Sequence, residues 1–153
     1  MITERYIKMC EKAEEIQREW KPQEGDFCIV KGYKKVFVVF QDAGVDDFGV
    51  PCLIAGHRCL DKRQTIWLPT QEQLQEMVLE WYQKKNLYDV NDSNTLFLRL
   101  RNFWMEGVYQ EAILQFGTMN ELLLAFVMWE RYQKVWDDEK EEWVKGECNG
   151  YRH

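Results

Sequence analysis

An unbroken apolar run marks the most buried element that the sequence predicts. Residues 122–129 read Leu-Leu-Leu-Ala-Phe-Val-Met-Trp, without a polar break. Thr118 and, three residues later, Glu121 have the spacing of a helix-capping box, which predicts a helix from about 119 to 133 or 135. Because apolar side chains lie nearly all the way round this helix, we expect it to be the core element against which the others pack.

In the first half of the chain, the pattern predicts one helix followed by four strands. The helix spans residues 4–20, with Thr3 as its N-cap, and the apolar stripe recurs at three- and four-residue spacing. The stripe is Tyr6, Cys10, Ala13, Ile16 and Trp20. The predicted strands, rich in β-branched and aromatic residues, are 26–30, 35–40, 50–55 and 65–68. The first two form a hairpin, residues 41–49 form a loop, and Pro51 indicates an edge strand or an early strand position.

In the second half, a helix, two strands and the core helix are predicted. Thr70 and Gln73 form a second capping box, and the helix after them ends near Lys84 and Lys85. Its buried stripe is Leu74, Met77, Val78 and Trp81. Residues 86–94 are predicted to be a loop anchored by Leu87, Tyr88 and Val90. Residues 137–142 are an acidic turn between Trp136 and Trp143, which fold back on the core, and residues 146–153 are a flexible tail.

The run from Thr95 to Trp104 alternates in a way that predicts a half-buried strand. Leu96, Leu98 and Leu100 would share the core face, and Phe97, Arg99, Arg101 and Phe103 the other face. Residues 108–116 would be the returning strand, or alternatively a helix that ends at Gly117. The resulting order, α-ββββ-α-ββ-α, predicts a single α+β domain over 1–153, with an antiparallel sheet or two small sheets covered by three helices.

Composition narrows the classes of function. The net charge of −6 argues weakly against a polyanionic partner, because nucleic-acid affinity depends largely on phosphate contacts by Lys and Arg, and it does not exclude a local basic patch. Five cysteines without a CxxC pair, and an N-terminus without a signal-peptide pattern, predict reduced thiols in a cytoplasmic protein. No segment has the ~20 apolar residues that a membrane span requires.

Candidate chemistry is sparse. Cys28, Cys52, His57 and Cys59 are ligand types that zinc accepts, but their spacing matches no usual zinc motif. A thiolate formed by Cys52 or Cys59 beside His57 is the only nucleophile that the pattern indicates. The three aspartates within residues 42–47 lack the ligand spacing of a calcium loop. We therefore expect no catalytic residues, no metal and no cofactor.

One predicted face has the residue types of a binding surface. Phe97, Arg99, Arg101 and Phe103 interleave aromatic rings with guanidinium groups along the strand predicted at 95–104. Aromatic rings stack on bases and Arg binds phosphate, so this face is a candidate site for single-stranded nucleic acid. The alternative is that both Phe side chains are core and both Arg side chains are solvent-facing.

Two stretches resemble a known group of proteins. Residues 66–77, Ile-Trp-Leu-Pro-Thr-Gln-Glu-Gln-Leu-Gln-Glu-Met, and residues 124–136, from Leu-Ala-Phe-Val-Met-Trp to Lys-Val-Trp, resemble small uncharacterised proteins of phages and prophages of Gram-positive bacteria. Gln133 stands where the group has Gly, so the core helix is expected to run on further. The resemblance implies a bacterial cytoplasmic setting and a phage origin. The expected function is a non-enzymatic accessory protein, monomeric or homodimeric, that binds a protein partner.

Overall fold

The computed structural model describes residues 2–87, 93–105 and 116–146. Two compact units divide the chain: one holds the residues up to Met9 and from Gln71 onward, and the other holds Cys10–Thr70. Within the described residues, five α-helices accompany a five-stranded antiparallel sheet and a two-stranded sheet. This confirms the α+β class, while the single-domain assignment stays a prediction.

The five-stranded sheet belongs to the unit Cys10–Thr70. Its strands, in the spatial order β4-β3-β2-β1-β5, are β1 Phe27–Val30, β2 Val36–Val45, β3 Pro51–Ala55, β4 Arg58–Asp61 and β5 Thr65–Trp67. The predicted hairpin is confirmed, with Phe27 opposite Val38. The prediction of a loop at residues 41–49 is partly wrong, because β2 pairs with β3, with shifts in register, as far as Val45. Strand β4 was not predicted, and Pro51 is the first residue of β3.

The N-terminal helix is interrupted. Helix α1 spans Glu4–Lys12 and helix α2 spans Glu14–Glu19, with Ala13 between them at φ −81° and ψ 66°. The predicted stripe is nevertheless correct, because all five of its residues are buried. Thr3 caps α1 as expected: its Oγ1 accepts a hydrogen bond from the Tyr6 N–H at 3.0 Å.

The side chain of Gln17 ties α2 to the edge strand β5. Its amide nitrogen donates to the carbonyl oxygens of Cys10 (3.1 Å) and Trp67 (3.0 Å), and its oxygen accepts from the Trp67 N–H at 2.8 Å. Both backbone polar groups of Trp67 are thereby satisfied by one side chain. Gln17 thus provides the hydrogen-bond partners of β5 at Trp67.

We expect Gln17→Ala to lower the free energy of unfolding by about 1–3 kcal/mol, because it leaves buried backbone groups without partners. Chemical denaturation followed by far-UV circular dichroism would measure the change. Gln64→Ala is the control, since the Gln64 side chain is exposed and its loss should change stability by less than about 0.5 kcal/mol. Equal stabilities for the two variants would contradict this role of Gln17.

The other unit is built mainly from helices. Helix α3 spans Gln71–Lys85, α4 spans Ser93–Met105 and α5 spans Met119–Tyr132. Helix α5 packs against both α3 and α4, and its residues 121–130 are all buried, as predicted for the core helix. Its capping box is present: Thr118 Oγ1 accepts from the Glu121 N–H, and Glu121 Oε2 accepts from the Thr118 N–H at 3.0 Å. The other carboxylate oxygen of Glu121 accepts from the Thr3 hydroxyl at 2.9 Å.

The extension predicted for the core helix is wrong. Gln133 adopts the left-handed conformation (φ 51°, ψ 41°) and ends α5 at Tyr132. Its side-chain amide donates to the carbonyl oxygens of Trp129 and Glu130, both at 3.3 Å, so it satisfies groups that a helix end leaves open. A hairpin that was not predicted follows, with β6 at Lys134–Asp137 and β7 at Glu142–Lys145.

Several smaller predictions have mixed outcomes. The buried residues of α3 are Leu74, Val78 and Tyr82, whereas Met77 and Trp81 are half-buried. Trp136 and Trp143 face each other across the hairpin with ring centroids 5.2 Å apart.

Of the predicted anchors at 86–94, Leu87 is exposed and the other two lie outside the described residues. Most of the strand predicted at 108–116 and of the tail predicted at 146–153 also lies outside them. No helix in the described ranges has the length and apolar character needed to cross a bilayer.

Candidate functional site

Helix α4 carries the candidate site, and it replaces the strand predicted at 95–104. Successive residues of an α-helix are ~100° apart, so this segment has an inner face and an outer face instead of two alternating ones. The inner face is Leu96, Arg99 and Phe103. The outer face is Phe97, Leu98, Arg101, Trp104 and Met105.

The inner face contacts the core helix through a buried polar network. One terminal nitrogen of Arg99 donates to both carboxylate oxygens of Glu130, at 2.9 and 3.1 Å, and the Tyr82 hydroxyl donates to Glu130 at 2.8 Å. Burial and then the Glu130 carboxylate raise the pKa of Tyr82 well above its usual range, so this hydroxyl stays a donor. The three side chains bind α3, α4 and α5 to one another.

An aromatic pair completes the inner face. The Phe103 ring lies 5.4 Å from the Phe126 ring, centroid to centroid, with 51° between the ring planes. Both residues are buried. Tilted rings at this separation are favourable beyond their buried area, so Phe103 is a packing residue and not a ligand contact.

The outer face exposes large apolar side chains to solvent. Phe97 and Met105 are each 66% exposed, Leu98 is 49% exposed and Trp104 is 38% exposed. These residues occupy roughly a third of the circumference of the helix. Arg101, the cation of this face, is also exposed. Helix α4 therefore has apolar residues on two opposite sides, of which the described residues of its own unit cover one.

The predicted binding face of Phe97, Arg99, Arg101 and Phe103 is therefore not one surface. The helix places Phe97 and Arg101 outside and Arg99 and Phe103 inside. Two features of α4 were not predicted from the sequence: Trp104 and Met105 are surface residues, and Glu130 is the partner of Arg99. Helical spacing from Phe97 to Trp104 and Met105, seven and eight positions on, is the sequence signal that would have identified the outer face.

The cysteine and histidine candidates lie in the five-stranded sheet, with Cys28 on β1, Cys52 on β3, Cys59 on β4 and His57 in the turn between β3 and β4. Among the described residues, no three His, Cys, Asp or Glu side chains lie close enough together to hold a metal ion. Burial and then the neighbouring Cys59 thiol raise the pKa of Cys52, and burial and then Asp26 raise that of Cys28 to about 11. A raised thiol pKa lowers the thiolate fraction, which disfavours nucleophilic chemistry. His57 is exposed in the turn between β3 and β4.

Comparison with known proteins adds neither a family nor a structural neighbour. No protein-family model, no curated protein and no solved structure matches the chain.

Proposed function

We propose that the protein is a non-enzymatic binding protein that engages a protein partner through the outer face of α4. The observation that carries the proposal is the exposure of Phe97, Trp104 and Met105 on a helix whose opposite side is already packed. Exposed apolar residues that cluster on one side of an element are typical of interaction sites. In keeping with the resemblance to phage and prophage proteins, the partner is a protein of the bacterial cytoplasm.

The residue types of the outer face favour a protein over other partners. Aromatic residues, Met and Arg are enriched at protein interfaces, and Trp, Tyr and Arg dominate their binding energy. A helix that presents such residues can pack into an apolar groove or against another helix. Trp104 and Phe97 would be the apolar anchors, with Arg101 as the polar contact between them.

The alternative partner, single-stranded nucleic acid, would need the predicted face of Phe97, Arg99, Arg101 and Phe103, which is not one surface. Arg99 is paired with Glu130 inside the unit and cannot reach a phosphate without breaking that pair. The outer face then offers one cation, Arg101, in a chain of net charge −6. Affinity for nucleic acid grows with the number of phosphate contacts, so one cation supports little binding.

The test removes the apolar character of the outer face. We expect the double variant Phe97→Glu, Met105→Glu to weaken binding of the partner by roughly 30-fold, as hot-spot losses of about 2 kcal/mol imply. Affinity purification of the tagged parent from bacterial lysate identifies the partner. Titration calorimetry with the purified partner then measures the dissociation constants.

The control is Phe48→Glu, which places one of the two added negative charges on a residue that is 92% exposed and lies outside α4. It should bind like the parent, and thermal unfolding should confirm that all variants are folded. Equal partner affinity for the parent and the double variant would reject the proposal. So would a captured species that nuclease treatment removes.

A further inference from the structure

A cleft of about 480 Å³ lies within the unit Cys10–Thr70. Small-molecule sites span roughly 300–1,000 Å³, so its size suits a compact ligand. Its charged lining residues are Glu11, Glu14, Arg18, Lys31, Lys62 and Arg63. Four cations against two carboxylates leave an excess of two positive charges, although the whole chain has a net charge of −6.

Lys31, Lys62 and Arg63 keep N–H donors that could bind an anion. The Lys62 ammonium donates to the Trp20 carbonyl oxygen and lies 5.9 Å from the centre of the Trp20 ring, which fixes its position. Arg63 uses two of its nitrogens to bind Asp61, at 3.1 and 2.9 Å. A guanidinium has five N–H donors, so donors remain on Arg63. Lys31 has no side-chain acceptor among the described residues.

The two walls of the cleft differ in charge. Glu11, Glu14 and Arg18 come from helices α1 and α2 and give that wall a net charge of −1. Lys31 follows β1, and Lys62 and Arg63 form the short 3₁₀ turn before β5, so the other wall has three positive charges. Converging cations repel one another, and a concave surface concentrates their potential. An anion held at the strand wall would relieve that repulsion, while the two carboxylates would keep it away from the helix wall.

We propose that this cleft binds a small molecule that carries an oxyanion group, phosphate or carboxylate, against Lys31, Lys62 and Arg63. Lys and Arg are donors without acceptor capacity and are the usual partners of both groups. Pro51 and Ile66 also line the cleft and offer apolar contact to the rest of the molecule. The volume of about 480 Å³ suits a compact molecule with one charged end.

Titration of the isotope-labelled full chain with inorganic phosphate, pyrophosphate and citrate tests the proposal by nuclear magnetic resonance. We expect saturable binding of at least one of these probes, with the amide shifts of Lys31, Arg63 and Ile66 changing most. Binding should weaken as ionic strength rises, because exposed charges are screened over ~8–10 Å at physiological salt. The phosphate probes and citrate distinguish the two oxyanion groups.

Charge variants in the cleft should change the affinity for the anion in opposite directions. Lys31→Glu should weaken binding by about tenfold or more, since it replaces a positive by a negative charge at the cleft, and Glu14→Gln should strengthen binding by about threefold, since it removes a negative charge there. Lys21→Glu is the control: it makes the same charge change on an exposed residue outside the lining, and should alter affinity by less than about twofold.

Three results would overturn the proposal. One is the absence of saturable binding for all three probes at concentrations about 10-fold above the dissociation constant of a weak, millimolar site. Another is an equal loss of affinity in Lys31→Glu and Lys21→Glu, which would indicate a response to net charge alone. The third is weaker binding in Glu14→Gln. None of these variants alters α4, so the outcome is independent of the proposed protein partner.

Discussion

Arg99→Ala is expected to lower the free energy of unfolding by about 3–5 kcal/mol, the range for removing one partner of a buried ion pair. The Arg99 and Glu130 side chains are only 14% and 4% exposed, so solvent screens the pair little. Without the guanidinium, the Glu130 carboxylate would stay buried with the Tyr82 hydroxyl as its remaining partner from this network. The cost therefore includes that of a buried carboxylate without its cation, and not only that of a lost contact.

Chemical denaturation at neutral pH measures this loss, and Arg101→Ala is its matched control on the same helix. Arg101 is exposed, so its replacement should change stability by less than about 0.5 kcal/mol. Arg99→Met combined with Glu130→Gln should recover a large part of the lost stability, because the buried charge is then absent. A loss below about 1 kcal/mol in Arg99→Ala, or an equal loss in the control, would mean that the ion pair does not hold α4 in place.

Phe126→Ala is expected to cost about 3–5 kcal/mol, the range for truncating a core aromatic residue. Phe126 is fully buried in α5, and its ring contacts that of Phe103 on α4. Truncation removes apolar contacts on several sides and leaves a cavity between helices that cannot close fully. The loss should show as a lower denaturation midpoint with an unchanged denaturant dependence.

Phe97→Ala serves as the control for that experiment, since Phe97 is 66% exposed and contributes little to the packed core. Its effect should stay within about 0.5 kcal/mol. A loss under about 1 kcal/mol for Phe126→Ala would contradict the assignment of α5 as the core helix. If both Phe variants lost the same large amount of stability, the outer face of α4 would be part of the core and unavailable to a partner.

The local pattern of residues 95–104 is compatible with both a strand and a helix. Leucines at 96, 98 and 100 satisfy the two-residue period of a strand, while Leu96, Arg99 and Phe103 satisfy helical spacing. Apolar residues at most positions of the run fit both periods. The pairing of Arg99 with Glu130, 31 residues away, is a contact of the helical arrangement that no local pattern contains.

Features set by neighbouring residues were predictable from the sequence itself. The capping box of Thr118 and Glu121 and the hairpin of β1 and β2 each depend on groups a few residues apart, so local composition determines them. The apolar run of 122–129 likewise required burial wherever it was placed. These features were sufficient to establish the α+β class.

Tertiary structure decided which side of α4 is buried and which of its charges are available. Strand β4, Arg58–Asp61, has weak apolar signal and is defined by its pairing with β3. Arg99 and Arg101 are equivalent in sequence, yet one is paired inside the unit and the other is exposed. The cleft at Lys31 and Arg63 joins residues that no sequence pattern groups, and the outer face of α4 follows a helical spacing that the sequence offers alongside the period of a strand. Both depend on chain packing, because only packing determines which side chains remain exposed after the core has formed.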